Sequence, residues 1–385
     1  MPQPTPHRRP RIGVDFHTFD GIFQGSRSHL LGLYEAAIAQ APDLDFHLLL
    51  ADTERLVAEH PAFGAPNVHR VPMPHRNGLV RLAWQLPRLQ QQLGLDLFHL
   101  QYRLPLWTAG PCVCTIHDVL FETHPQFFSK AFTAFARLSS RDALRRSHAL
   151  FTVSEYSRQS MVQAYGTAPE RITVTHNGVD TERFHPGPEG ADLVQAQGLE
   201  PGGYLCIVGR LEPRKNHVNL VQAYARLPRP RPPLVVVGQR DFAFEAVFEV
   251  VQREGLQQEV RFLERVGDAE LPALIRHSAA FVYPTWAEGF GMPVLEAMAC
   301  GVPVVTSSTT SLPEVAGDVA FLCPPDDVAA LAQAMAQALN EPPAARQQRI
   351  ERGIDRAQQF TWQRSAQALL GQMRRLLAHQ GLTPG

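Results

Sequence analysis

Residues 280–301 read AFVYPTWAEGFGMPVLEAMACG, which is a short apolar run, a glycine-rich turn and an apolar segment with helical spacing. Pro293 stands at the first position of the predicted helix, and Gly301 stands just past its end. Proline favours the first helical position and glycine the position after the last one, so the stretch predicts a strand, a turn and a helix. Such a unit is the building block of a parallel α/β sheet.

The same unit repeats along the chain, because short apolar runs alternate with helical patterns. The predicted strands are Arg11–Phe16, Phe46–Ala51, Asn67–Val71, Leu97–Gln101, Cys112–His117, Ala149–Val153, Ile172–Thr175, Tyr204–Val208, Pro233–Val237, Val260–Phe262, Ala280–Tyr283, Val302–Thr306 and Ala320–Cys323. Helical patterns occupy Gly25–Ala41, Leu79–Leu93, Ser129–Ser147 and, with a break near Phe360, Pro342–Gln380.

A polar stretch rich in glycine and proline, up to Gly203, separates two series of strands. The predicted fold class is therefore α/β, with two Rossmann-like, doubly wound parallel-sheet domains. We place residues 1–193 in the first domain, together with the C-terminal helix 363–385, and residues 194–362 in the second. Two such sheets that face each other leave a cleft at the carboxyl ends of their strands, where open α/β sheets bind ligands.

Composition narrows the function classes. Of 385 residues, 44% are apolar and 19% charged, which is typical of globular proteins. Lys plus Arg (36) nearly balances Asp plus Glu (37), so we predict no nucleic-acid partner. The five cysteines form no C-x-x-C pair and are expected to be reduced thiols of a cytoplasmic protein. No apolar run approaches the ~18 residues of a membrane-spanning helix, and the start, Met1–Arg11, is expected to be neither signal peptide nor anchor.

Two cations follow the predicted strand Tyr204–Val208. The sequence VGRLEPRKN places Arg210 and Lys215 in a loop that begins at Gly209. A diphosphate is bound well by the planar guanidinium of arginine and by the ammonium of lysine, and a glycine lets backbone approach the ligand. The pattern indicates an anion clamp, and the alternative is a solvated basic loop.

Two glutamates flank the glycine-rich turn. Glu288 precedes Gly289 and Gly291, whereas Glu296 lies about one turn inside the helix, whose exposed N–H groups can bind phosphate. A carboxylate accepts two hydroxyl hydrogen bonds, so Glu296 suits the vicinal hydroxyls of a ribose and Glu288 those of a transferred sugar. The alternative is a surface glutamate beside a capped helix, but it does not explain why the turn accepts the flexibility cost of two glycines.

His117 and Asp118 end another predicted strand, at the edge that would face the cleft. A histidine there can donate to a sugar hydroxyl or hold an acceptor, and the alternative is a structural histidine. Gly25 lies in a loop, residues 20–29, that leads into a helix and could contact phosphate or acceptor. Its glycines lack the G-x-G-x-x-G order, so a dinucleotide fingerprint is not supported and a simple loop is the alternative.

Together these motifs resemble retaining glycosyltransferase family 4, which has the GT-B fold. The resemblance runs from about residue 21 to residue 362 and rests on Gly209-Arg210 with Lys215-Asn216, EGFGMPVLE at 288–296, SLPEV at 311–315, VSEYS at 153–157 and NGVD at 177–180. It implies two Rossmann-like domains across a cleft. Arg210 and Lys215 would bind the donor diphosphate, Glu288 the donor sugar and Glu296 the nucleotide ribose.

The resemblance extends to further positions. Phe290 and Gly291 would offer backbone amides to phosphate, with Gly289 and Met292 beside them in the donor site. Val266 resembles the position whose backbone meets the base. His117 resembles the active-site histidine near the sugar, with Asp118 next to it on the acceptor side. The Gly25 loop departs from the commoner family form, which has more glycines.

The function implied is a retaining hexosyltransferase that moves mannose or glucose from GDP-mannose or a UDP-sugar to a glycan or lipid-linked acceptor in cell-surface polysaccharide or glycoconjugate synthesis. No metal cofactor is expected, because Arg210, Lys215 and the helix start would stabilise the leaving diphosphate. The one Asp-x-Asp pair, at Asp43 and Asp45, enters a strand at its amino end and is read as a turn. Two alternatives are a nucleotide-sugar epimerase on the same fold and a catalytically silent sugar-nucleotide binding protein.

The predicted helix Ser129–Ser147 carries a basic stripe. Arg137, Arg141 and Arg145 are spaced four apart, with Arg146 beside them and Phe132 and Phe135 nearby. Such a stripe could rest on an anionic membrane that presents a lipid-linked acceptor, and the alternative is a solvated basic face.

Overall fold

The computed structural model describes residues 8–21, 24–73, 77–267 and 269–382. The chain divides into two compact units, which are Met1–Gly178 with Thr361–Gly385 (unit 1) and Val179–Phe360 (unit 2). The sequence-based boundary at residue 193 lies beyond the end of the first segment of unit 1. The start of the tail Met1–Arg11, and Ile22 and Phe23 in the loop before Gly25, lie outside the described residues.

Unit 1 is built on a seven-stranded sheet in which every pair is parallel, in the order β3-β2-β1-β4-β5-β6-β7. The strands are β1 Arg11–Asp15, β2 Asp45–Leu50, β3 Val68–Pro72, β4 Leu97–Gln101, β5 Cys112–Thr115, β6 Ala149–Thr152 and β7 Ile172–Val174. Its first helices are α1 Gln24–Gln40, α2 Thr53–Glu59, α3 Gly78–Val80, α4 Leu86–Gln92, α5 Leu120–Thr123, α6 Lys130–Arg146 and α7 Glu155–Tyr165. Short 3₁₀ turns lie at His17–Asp20, Pro61–Gly64, Pro125–Phe127 and Pro169–Arg171.

Unit 2 repeats the plan with a six-stranded parallel sheet, in the order β10-β9-β8-β11-β12-β13. The strands are β8 Leu205–Val208, β9 Leu234–Val237, β10 Val260–Leu263, β11 Ala280–Tyr283, β12 Val304–Ser307 and β13 Phe321–Cys323. The helices are α8 Ala191–Ala196, α9 His217–Ala225, α10 Glu245–Arg253, α11 Glu270–Arg276, α12 Met292–Ala299, α13 Leu312–Ala316, α14 Val328–Asn340 and α15 Pro343–Ala357, with a 3₁₀ turn at Pro213–Lys215.

The last helix, α16 (Trp362–His379), belongs to unit 1 and packs on α1. Gly32 of α1 makes room for it, because a Cβ at this position would lie 2.3 Å from the Trp362 indole. The backbone N–H of Val179 donates to the carbonyl of Phe360 (3.1 Å), so the first and last residues of unit 2 are hydrogen-bonded to each other.

The central strands are buried on both faces, which explains their near-continuous apolar sequences. Side chains cap several helices, as where the Ser129 hydroxyl accepts from the Phe132 N–H at the start of α6 (3.2 Å). The predicted α/β class with two doubly wound parallel sheets is confirmed. One predicted helix differs, because Leu79–Leu93 is α3 and α4 joined by a π-helical turn at Arg81–Gln85. All five cysteines are buried and unpaired.

Candidate donor site and buried histidine cluster

Strand order places two loops of unit 2 side by side. From β8 the chain moves outward to β9 and β10, and then returns to β11 on the other side of β8. The loops after β8 and β11 therefore leave the same edge of the sheet at the point where the strand order reverses. In open α/β sheets this switch point is where ligands bind. The loops carry Lys215 and Glu288, respectively.

These two side chains form a buried ion cluster. The Lys215 Nζ lies 2.7 Å from the Glu288 Oε1 and donates to the Tyr283 hydroxyl at 2.7 Å. Tyr283 in turn donates to the same Glu288 oxygen (3.1 Å), and Arg214 Nη1 is 3.0 Å from it. Arg214 also donates to the Ala287 carbonyl (2.8 Å), which ties the two loops together.

Three donors thus converge on Oε1 of Glu288. Within the described residues, Oε2 of this carboxylate has no hydrogen-bonding partner. Burial alone would raise the pKa of Glu288, but the charges of Arg214 and Lys215 and the hydrogen bonds outweigh burial and hold the pKa below its usual value. Burial lowers the pKa of Lys215, and the adjacent Glu288 opposes that shift. Glu288 is therefore an anion with one oxygen left to accept hydrogen bonds.

Arg210 takes a different position from Lys215. It follows Gly209 at the end of β8, is partly exposed, and pairs with Asp241 (3.1 Å). The cation that reaches Glu288 beside Lys215 is Arg214, which also pairs with Glu212 (2.6 Å). The 3₁₀ turn at Pro213–Lys215 turns the side chains of Arg214 and Lys215 toward β11.

The glycine-rich turn after β11 has a backbone that requires glycine. Gly291 precedes α12 with φ of 105°, and a Cβ there would lie 2.5 Å from the Leu312 side chain. The Ser311 hydroxyl donates to the carbonyls of Glu288 (2.9 Å) and Phe290 (2.8 Å). The turn is therefore held from the segment that follows β12, which is the SLPEV motif.

The remaining predicted donor residues lie in this turn, in α12 and in the loop after the edge strand β10. Gly289, Phe290 and Met292 belong to the turn and to the start of α12. Glu296 is part-buried on α12, and burial raises its pKa to about 7, with the charge of Arg183 acting in the opposite direction. Val266 follows β10 and is half-buried.

In unit 1, His117 lies just past β5 and belongs to a cluster of buried histidines. Its Nε2 is 3.2 Å from the Gln101 Oε1, and its ring packs edge-on against His29 (4.6 Å between centroids). His29 Nδ1 lies 2.7 Å from the Asn177 Oδ1. A carboxamide oxygen only accepts, so this arrangement puts a proton on each of these two ring nitrogens.

A third member, His99, lies on β4 with its Nε2 2.7 Å from the Thr115 hydroxyl, and its Nδ1 contacts the Tyr34 hydroxyl. Burial lowers the pKa of His29 to about 4 and that of His99 to about 3. The pKa of His117 lies well below its ordinary value because of burial and of the neighbouring His29 and His99. The cluster is therefore neutral near pH 7.

The other predicted residues of unit 1 belong to helix and strand ends or form an ion pair within that unit. Asp118 accepts from the Leu120 N–H (3.1 Å) at the start of α5, and Gly25 lies in the first turn of α1. Asp43 pairs with Arg374 of α16 (2.8 Å), and Asp45 opens β2. Within the described residues, no three His, Cys, Asp or Glu side chains come together in a way that could hold a metal ion.

Comparison with known proteins decides the family. The family model "Glycosyl transferases group 1" matches residues 194–356, and the model "Glycosyltransferase Family 4" matches residues 23–183. The O-antigen chain mannosyltransferase B of Escherichia coli is 35% identical over 270 residues, which is 69% of each chain. The chain belongs to glycosyltransferase family 4. It is a glycosyltransferase whose donor is a nucleotide sugar.

Further relatives of this glycosyltransferase have varied substrates. The glycogen synthase of Mycobacterium tuberculosis is 32% identical over 266 residues, 67% of this chain and 61% of that protein. Among solved structures, sucrose-phosphate synthase from Thermosynechococcus elongatus has a TM-score of 0.78 at 21% identity and covers 96% of this chain and 100% of its own. Anabaena HepE, solved with UDP-glucose, has a TM-score of 0.75 at 21% identity and covers 94% and 99%. These two structures show that the glycosyltransferase has the GT-B fold.

Sequence reasoning missed several residues of the ion cluster in unit 2 and of the histidine cluster in unit 1. Arg214 and Tyr283 contact the Glu288 carboxylate, and their only sequence signal was their position beside Lys215 and at the end of a predicted strand. Gln101 and Asn177, the partners of the histidine cluster, carried no signal for such contacts.

In the described residues, no helix combines the length and hydropathy that crossing a membrane requires.

Proposed function

We propose that this glycosyltransferase is cytoplasmic and is a retaining, metal-independent hexosyltransferase. It moves mannose or glucose from GDP-mannose or a UDP-sugar to a glycan or lipid-linked acceptor in polysaccharide or glycoconjugate synthesis. The mannose alternative draws support from the Escherichia coli relative, which is an O-antigen chain mannosyltransferase. Glucose draws support from the UDP-glucose bound to Anabaena HepE.

The observation that carries the proposal is the Glu288 carboxylate. Lys215, Arg214 and Tyr283 all contact one of its oxygens, so the group stays ionised and the other oxygen is left to accept hydroxyl groups of the donor sugar. An ammonium group has three N–H donors, and Tyr283 and Glu288 engage two of them. The third N–H of Lys215 would bind a phosphate oxygen of the donor.

The remaining roles follow from the same chemistry. Arg210 would join Lys215 on the diphosphate, and the N–H groups of Gly289, Phe290, Gly291 and Met292 would add hydrogen bonds at the start of α12. Glu296 would accept the ribose hydroxyls, and Val266 would meet the base through its backbone. Gly25 would contact the donor, and His117 with Asp118 would act on the sugar and the acceptor.

In the proposed reaction the bond between the anomeric carbon and the phosphate oxygen breaks, and the acceptor oxygen bonds to the anomeric carbon. The acceptor hydroxyl passes its proton to the leaving phosphate oxygen, and the products are a glycoside and a nucleoside diphosphate. Negative charge that develops on the diphosphate is stabilised by Lys215, Arg210 and the turn amides. The attack takes place on the face that the diphosphate leaves, so the anomeric configuration is retained.

The test begins with a thermal-shift screen of GDP-mannose and UDP-sugars, because a true donor stabilises the fold by mass action. With the donor found, transfer to an acceptor is measured for Lys215→Ala and Glu288→Gln. We expect kcat/KM to fall about 100- to 1,000-fold in each, the loss typical of removing one oriented electrostatic contact. Arg253→Ala is the control, since Arg253 is an exposed cation of α10 whose ion-pair partner is Glu254.

Folded Lys215→Ala and Glu288→Gln proteins that transfer sugar as fast as the parent would contradict the site. Nuclear magnetic resonance of the product distinguishes retention from inversion of the anomeric carbon. Formation of an altered free nucleotide sugar without acceptor would indicate an epimerase instead. Donor binding without transfer or slow hydrolysis would indicate a silent binding protein.

A further inference from the structure

Large apolar side chains that are exposed concentrate in unit 1. In the part of the chain that the structure describes, eight of the ten such residues lie there, in three short segments: Leu79, Val80 and Trp84; Leu106 and Trp107; and Phe132, Phe135 and Leu138. Only Phe242 and Leu322 of this set lie in unit 2. Single exposed apolar residues are ordinary, but a group of them marks an interaction surface.

Helix α6 buries Ala143 and Leu144 in the usual amphipathic way but leaves its two aromatic residues exposed. The face turned to the sheet carries small or medium residues such as Thr133, Ala136 and Ser140. The outer face carries Phe132, Phe135 and Leu138, and Leu138 is 70% exposed. A helix that only covered the sheet would bury its aromatic side chains, so their exposure indicates that the outer face takes part in an interaction.

The same outer face is strongly basic. Lys130, Arg137, Arg141, Arg145 and Arg146 are all exposed on α6. Arg137 pairs with Glu122 (2.8 Å) and Arg146 pairs with Asp142 (2.8 Å), the only acidic residue of the helix. In the described residues Arg141 and Arg145 have no ion pair, so their charge is available to a partner.

The loop after β4 continues this face. Arg146 donates to the Pro105 carbonyl (2.9 Å), and the Arg103 guanidinium lies 4.5 Å from the centre of the Phe135 ring. Next to Pro105, Leu106 is 78% exposed and Trp107 is also exposed. We call the outer face of α6 together with Leu106 and Trp107 the basic–apolar face.

We propose that the basic–apolar face docks on the surface of an anionic lipid bilayer. Aromatic and leucine side chains would enter the boundary between headgroups and acyl chains, while arginines at the same level would contact lipid phosphates. Long cationic side chains suit this position because they keep their charge at the headgroups while their stems lie along apolar surface. This surface would hold the transferase where lipid-linked acceptors are.

Charge argues against a second copy of the chain as the occupant. A two-fold dimer would bring the same face of both copies together, which would place exposed arginines of one copy against the same basic face of the other. Such like-charge contacts are unfavourable. An anionic bilayer, by contrast, offers negative charge across the whole face and an apolar layer beneath it.

The test is sedimentation of the full chain with vesicles, which needs neither donor nor acceptor and so stands apart from the proposed reaction. We expect binding to vesicles of phosphatidylglycerol and phosphatidylethanolamine at low salt, little binding to phosphatidylcholine vesicles, and weaker binding at high salt. Arg141→Glu with Arg145→Glu should weaken binding about tenfold or more, because each basic residue contributes about 1 kcal/mol near such a surface. Arg253→Glu with Arg375→Glu changes the net charge equally at other exposed sites and should bind more nearly like the parent.

The apolar part is tested by Leu106→Ser with Leu138→Ser, which should also weaken binding about tenfold or more. Phe242→Ser, at a residue 51% exposed in unit 2, is the matched control. Failure of the parent chain to bind anionic vesicles at low salt would overturn the proposal, as would binding that both double variants leave unchanged. A dimer in solution that these variants dissociate would assign the face to self-association instead.

Discussion

Unit 1 and unit 2 use the carboxyl edges of similar sheets in different ways. The edge of unit 1 buries His29, His99 and His117 as neutral rings whose partners are hydroxyl groups, carboxamides and other rings. The edge of unit 2 buries full charges, which are Lys215 and Glu288, and balances them against each other. A neutral cluster is sensitive to protonation, whereas an ion cluster is sensitive to the loss of one member. Low pH should therefore destabilise unit 1 more, and removal of one charged side chain should destabilise unit 2 more.

Lowering the pH should produce the largest difference in stability between the two units. An unfolded histidine titrates near pH 6.5, so below that pH the unfolded state binds more protons than unit 1 with its depressed histidine pKa values. The stability of unit 1 is therefore lost as the pH falls from about 6.5 toward 4. Each of the three clustered histidines contributes about 1.4 kcal/mol per pH unit, and the three together about 4 kcal/mol per pH unit. His47 on β2, whose pKa burial lowers to about 4, acts in the same direction.

In unit 2 two groups act in opposite directions over this range. Burial lowers the pKa of His217 to about 3, which removes stability as the pH falls. Glu296, whose pKa is raised to about 7, binds a proton in the folded state first and adds stability as the pH falls from about 7 toward its unfolded value near 4.3. Hydrogen exchange measured by peptide at pH 7.5 and pH 5.5, corrected for intrinsic rates, should show protection lost mainly in unit 1. Equal losses in the two units would refute the comparison.

Removing one member of the ion cluster tests the other half of the comparison. Glu288→Ala leaves Lys215 and Arg214 facing each other without their shared anion, and we expect a loss of about 3 to 5 kcal/mol in the free energy of unfolding. Asp241→Ala is the control, because its pair with Arg210 is partly exposed and should contribute about 1 kcal/mol or less. Urea unfolding of both variants at pH 7 measures the difference. Similar losses would mean that burial of the cluster has no special consequence.

The smallest expected effect concerns Glu296. At pH 8 the folded protein must keep this carboxylate ionised against its raised pKa, so Glu296→Gln should raise the unfolding free energy by about 1 kcal/mol or more. At pH 5 the glutamate is protonated and the gain should disappear. Thermal unfolding at the two pH values checks this, with Glu254→Gln on the surface as control. A gain that is the same at both pH values would show that the carboxylate charge is not its cause.

Much of the fold could be predicted because a parallel strand buried on both faces is apolar throughout, as in LVVV of β9 and AFVY of β11. The position of Lys215 and Glu288 after such strands could be predicted for the same reason. The sequence could not predict which arginine turns toward Glu288, because the 3₁₀ turn at Pro213–Lys215 directs Arg214, and not Arg210, toward it. The pair of His29 and Asn177 joins residues far apart in the chain, and no local pattern reports such a contact.

The hydrogen bond between Val179 and Phe360 closes unit 2 where the chain enters and leaves it. Unit 2 is therefore an insert with adjoining ends, flanked on both sides by segments of unit 1. Recombination between relatives could exchange such an insert whole, with two cuts and two short junctions. A lineage could thereby replace the loops that carry Lys215 and Glu288 while it keeps the histidine cluster and the basic–apolar face of unit 1.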